Sequence, residues 1–152
     1  MTIPPVNGRC RRDALLRRSA ERGQERPDRL PWLLHEGPYA LAAAARCPER
    51  IAAAASFYGT WLVSGAEESP HLLLGKVQGE LYIACAEHDE LAPLPMVEEL
   101  RGLFRRAGTA GEIELYPAVH HGFAFPEARV YDKPAAERHW ERLIALYRRR
   151  LG

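Results

Sequence analysis

Two stretches of the chain end an apolar run on titratable side chains. Tyr82-Ile83-Ala84-Cys85-Ala86-Glu87-His88-Asp89 closes on an acid, and Glu114-Leu115-Tyr116-Pro117-Ala118-Val119-His120-His121 opens into a loop with two adjacent histidines, followed by Gly122-Phe123. An acid and then a base, each beyond a short strand, are what a nucleophile needs. The base takes the nucleophile's proton, and the acid fixes the base's tautomer and stabilises its charged form. Asp89 and His121 are therefore the candidate catalytic residues. On spacing alone Glu87 and Glu90 have nearly equal claims to the acid, and spacing does not choose between His120 and His121. A metal pair is not indicated, because adjacent histidines on an extended segment point to opposite faces and no third ligand stands out. No metal is expected.

The elements that must position these groups can be read from the pattern. Tyr39 to Arg46 is an Ala-rich helix that stops before Pro48, since the residue preceding proline disfavours helical dihedrals. Ile51 to Tyr58 has the length of a buried strand ending at Gly59, and residues 60–79 have no clear period. Glu80 to Ala86 is the clearest strand. Pro93 to Arg106 places Val97, Leu100 and Phe104 on one helical face, with Gly108 as its stop. Glu112 to Tyr116 alternates as a short strand. Pro134 to Leu151 reads as a long helix with Trp140, Leu143, Ile144 and Tyr147 on its apolar face. Helix–strand–helix–strand–helix implies an α/β architecture, a short parallel sheet flanked by helices. In such sheets functional groups gather beyond the carboxyl ends of the strands, where Asp89 and His121 fall.

At 152 residues and 47% hydrophobic content the chain suits one domain with a real core. A net charge of +1 creates no global field toward nucleic acid or membrane. No apolar run reaches the roughly 18 residues of a membrane span, and no secretory leader is evident, so a cytoplasmic location is expected. Cys10, Cys47 and Cys85 are odd in number and lack metal-ligand spacing, so neither a disulfide framework nor a zinc site is expected. The Arg-rich start, residues 1–36, stays unassigned. Its basic clusters are interrupted by Asp13, Glu21, Glu25 and Asp28, which argues against a nucleic-acid arm.

Several motifs resemble the dienelactone hydrolase family of the α/β-hydrolase superfamily. They are Phe57-Tyr58-Gly59, the Glu80–Asp89 stretch, Tyr116-Pro117 through His121-Gly122-Phe123, and Tyr131-Asp132 with Ala135-Ala136-Glu137-Arg138. The likeness covers 37–152, and the fold it implies is an incomplete α/β-hydrolase fold. It implies a Cys-Asp-His triad acting on lactones or related esters without a cofactor, with Asp89 orienting the base and His121, the histidine before Gly-Phe, as that base. The chain order of nucleophile, acid and histidine agrees.

One departure bears on activity. The family's nucleophile elbow reads approximately Gly-(Tyr/Phe)-Cys-Met-(Gly/Ser)-Gly-Pro, whereas this chain reads Trp32-Leu33-Leu34-His35-Glu36-Gly37-Pro38. Gly37 and Pro38 match; the cysteine is replaced by Leu34. Codons for Trp32 to Glu36 shifted by one base permit Gly-Tyr-Cys-Met, so residues before Gly37 are expected to lie outside the ancestral reading frame. The other cysteines and Ser56 are poor substitutes: Cys85 and Ser56 lie within strands and Cys47 at a helix end. An acid and base without their nucleophile imply an inactive hydrolase. The alternative is a non-catalytic interaction module, self-associating through an uncovered sheet edge. The partner expected of an active form is a small ester or lactone, with neither nucleic acid nor membrane.

Overall fold

The computed structural model describes residues 37–152 and the backbone of 32–34. Four strands, β1 (Trp32–Leu34), β2 (Ala53–Ser56), β3 (Glu80–His88) and β4 (Gly111–His120), form one sheet in the order β1-β2-β3-β4. Every pairing is parallel. Helices α1 (Gly37–Arg46), α2 (Leu94–Ala107) and α3 (Lys133–Leu151) flank it, and a 3-10 helix, Pro70–Lys76, lies in the β2–β3 connection.

β3 is the centre of the sheet because it is apolar on both faces, as a strand covered from both sides must be. Leu81, Ile83 and Cys85 pack with Leu41 and Ala44 of α1 and Val97, Leu100 and Phe104 of α2. Tyr82, Ala84 and Ala86 point the other way, into a cluster with Ala136, Leu143 and Leu146 of α3. The result is three layers, with two hydrophobic cores separated by the sheet.

Helix ends are set by local chemistry. Gly108 takes φ 65°, and its N–H bonds the carbonyls of the last turn of α2, a left-handed cap suited to glycine. Asp132 caps α3 by accepting the Ala135 N–H at 2.9 Å.

The strand expected over Ile51–Tyr58 is shorter, because the chain leaves the ladder after Ser56 and turns through left-handed Tyr58 (φ 69°) and Gly59 (φ 64°). The apolar face of α3 also differs from expectation. Ile144 is 45% exposed, while His139 and Leu146 are buried with Leu143. Positions 136, 139, 143 and 146 follow the helical period, and Ile144 falls about 100° round the axis from Leu143. β1 was not foreseen. It pairs with β2, and α1 begins three residues after its end, so a strand and then a helix stand at the place of the expected elbow. The rest of segment 1–36, with Cys10, lies outside the described residues.

Candidate active site

The ends of β2, β3 and β4 converge on Asp89 and His121. Asp89 follows β3, with its side chain fully buried, and its Oδ2 lies 2.7 Å from Nδ1 of His121. Its Oδ1 accepts the Leu91 N–H at 2.8 Å. Both carboxylate oxygens are thus partnered, as burial of a charge requires. The His121 side chain remains 40% exposed, so the imidazole is anchored at one nitrogen while the ring reaches the surface. That arrangement fits a base held in one orientation by an acid.

The remaining acids and histidines are sorted by position. Glu90 is exposed. Glu87 is half-buried and accepts the Ala118 N–H at 2.6 Å. His120 is exposed, with its ring 5.0 Å from that of His88 on the neighbouring strand. Geometry therefore pairs Asp89 with His121 and leaves the other candidates apart from them.

Gly122 takes φ 95°, a conformation that favours glycine. The turn lets the Phe123 N–H reach the His120 carbonyl at 3.1 Å. Phe123 is then fully buried beneath the site, which explains the histidine–glycine–aromatic run physically.

Tyr58 was not singled out for a role. Its ring lies 4.5 Å from that of His121, tilted by 41°, and its hydroxyl accepts the Ala124 N–H at 3.3 Å. Burial pushes its phenol up to about 12, so it stays protonated at neutral pH and serves as a wall rather than a base. Gly59 supplies the turn without a Cβ, which would come within 2.8 Å of Cys85 Sγ. The Trp61 N–H donates to the Leu91 carbonyl at 3.3 Å, joining the β2 and β3 loops. The sequence signal was an aromatic-Tyr-Gly run closing a strand.

The described residues weighed as substitute nucleophiles are poorly suited. Cys85 is fully buried in β3, and desolvation pushes its thiol up to about 12, the reverse of an activated thiolate. Ser56 is 3% exposed within the sheet, and its Oγ has no hydrogen-bond partner to take its proton. Cys47, just past the carboxyl end of α1, is disulfide-bonded and offers no thiol, contrary to the absence of disulfides expected from the sequence. Among the described residues no three His, Cys, Asp or Glu side chains group to hold a metal, and no helix is long and apolar enough to cross a membrane.

The start of α1 lies against the end of β2. A Cβ on Gly37 would fall 2.4 Å from Ser56 Oγ, so the close approach of helix and strand requires glycine there.

The family model for the dienelactone hydrolase family matches residues 37–151, and the chain belongs to that family. It is 28% identical over 104 residues to a Synechocystis protein named "Putative carboxymethylenebutenolidase", covering 66% of this chain and 42% of that protein. Among solved structures, the Klebsiella pneumoniae "Putative Dienelactone Hydrolase" superposes with a TM-score of 0.76 at 22% identity, covering 88% of this chain and 57% of the other. A dienelactone hydrolase-like promiscuous phosphotriesterase from metagenomic libraries gives 0.65 at 20% identity, covering 79% and 51%. These likenesses show the α/β-hydrolase fold. The chain spans about two fifths of the curated relative's length.

Proposed function

We propose that Asp89 and His121 are the orienting acid and general base of a hydrolase of esters and lactones, and that this chain has little turnover because its elbow carries Leu34 instead of a nucleophile. The observation carrying the reading is the 2.7 Å contact between the buried Asp89 carboxylate and the part-exposed His121 ring. Family membership supports the substrate class, and β1 ending at Leu34 with α1 beginning at Gly37 supports Leu34 as the nucleophile position. In the complete reaction a thiol at that position would give its proton to His121 and attack the carbonyl carbon. The imidazolium, held by Asp89, would then protonate the leaving alcohol, and water would release the acid.

The test is hydrolysis of an aryl acetate and an unsaturated lactone by the chain and by Leu34→Cys. The chain is expected at background. Leu34→Cys is expected to show turnover that falls at least about a hundredfold in Leu34→Cys/His121→Ala, the usual share of a general base. Turnover by the unaltered chain that survives His121→Ala would overturn the site assignment. Turnover that vanishes with His121→Ala would overturn the inactivity while supporting the site.

A further inference from the structure

Glu87, which has no place in the acid–base couple, accepts a hydrogen bond from the backbone irregularity that brings the couple into register. β3 and β4 pair regularly up to Ala86 with Tyr116, and the next pair is His88 with His120. Between these pairs β3 has one residue, Glu87, and β4 has three, Pro117, Ala118 and Val119. β4 thus carries two extra residues in a bulge immediately before the histidine loop. In an unbroken register Asp89 would lie beside Val119, and His121 would overshoot it by two residues, about 7 Å along the strand. The bulge sets His121 opposite Asp89.

The bulge is not self-sustaining. Pro117 has no N–H to give to the ladder. Ala118 takes φ 57°, a left-handed conformation that Ala does not favour. Its N–H, turned out of the ladder, donates to Glu87 Oε2 at 2.6 Å. A carboxylate accepting a backbone N–H is a charge-assisted bond, stronger than one between neutral groups. It comes from the strand that delivers Asp89, two residues upstream of that acid.

We infer that Glu87 is a positioning residue: its carboxylate clamps the strained Ala118 bulge and so fixes the distance between Asp89 and His121. The inference deepens the acid–base reading and rests on it.

The test follows the His121 Nδ1 proton by NMR in histidine-labelled protein, a readout that needs no turnover. The wild-type chain is expected to show a downfield Nδ1 proton protected from solvent by Asp89, assigned by its loss in His121→Gln. Glu87→Ala should speed its exchange with solvent roughly tenfold, the factor matching the ordinary cost of a left-handed alanine. Glu87→Gln keeps an acceptor and should retain most protection. Ala118→Gly removes the strain and should restore protection to Glu87→Ala. Unchanged exchange in Glu87→Ala, or no restoration by Ala118→Gly, overturns the clamp. Should Glu87→Ala not fold, folding of the double variant with the protected proton supports the clamp, and its failure to fold overturns it. Absence of the protected proton in wild type would instead overturn the acid–base couple. A protected couple without turnover in Leu34→Cys would sink the hydrolase reading and leave the clamp standing.

Discussion

His139 is predicted to make the protein lose stability steadily below pH 6.5. It lies on α3 with 1% exposure. Phe57 meets it edge-on at 4.0 Å, Tyr82 stacks on it at 5.6 Å, and Trp140, Tyr116 and Phe123 complete the surround. Its Nδ1 lies 3.5 Å from the Tyr82 hydroxyl, while Nε2 has no partner. Burial lowers its pKa from 6.5 to about 4, with the nearby Glu114 charge pulling weakly the other way. On acidification the unfolded chain therefore takes up the proton first, and stability falls with pH. The loss begins near 6.5 and is complete below the folded value of about 4. Linkage gives a loss of roughly 2 kcal/mol at pH 5 and about 3 kcal/mol at pH 4, a large share of the 5–15 kcal/mol that typically holds a domain together. Urea unfolding at pH 7, 5.5, 5 and 4.5 measures it, with His139→Leu as the control. The difference between wild type and variant removes the carboxylates, which titrate in both. His139→Leu should fall less steeply with acid, by those same amounts. Parallel pH profiles for the two proteins would refute a buried neutral imidazole at this position.

Cys85, fully buried with its thiol pushed up to about 12, should react with a disulfide reagent only on unfolding; fast labelling at neutral pH in native buffer would contradict its placement. Gly59→Ala adds a Cβ 2.8 Å from Cys85 Sγ at a residue with φ 64°. It should destabilise the protein by about 1–3 kcal/mol through strain and overpacking, and Cys85→Ala should recover part of the loss in a double-mutant cycle of urea midpoints.

What was legible in the sequence was what local pattern determines. β3 announced itself through an uninterrupted apolar run, and α2 through Val97, Leu100 and Phe104, all buried as their spacing implied. The proposed acid and base, Asp89 and His121, were visible because both stand at the ends of such strands. The less legible features depend on contacts between distant residues. His139 sits among the charged residues of α3, and only packing against Phe57 and Tyr82 shows that it is core. Glu114 was read simply as a strand residue. Yet its Oε2 is held by the hydroxyls of Tyr82 and Tyr116 at 2.9 and 3.1 Å, and its other oxygen pairs with Arg138. Burial would raise that carboxyl, but the hydrogen bonds from Tyr82, Tyr116 and Arg138 outweigh it and hold the pKa below the ordinary range.

The same distinction explains the choice between neighbours in the candidate site. Period-two alternation cannot register two extra residues on one strand, so Glu87, Asp89 and Glu90 looked equivalent along the chain. Across the sheet they are not. The bulge at Pro117–Ala118 sets His121 beside Asp89 and turns the Ala118 N–H toward Glu87. One carboxylate meets an imidazole and the other accepts a hydrogen bond from the backbone that carries it. Which carboxylate meets His121 is thus a property of the β3–β4 pairing. It follows that shortening the bulge by two residues should break the couple while leaving the β3–β4 ladder before Tyr116 intact.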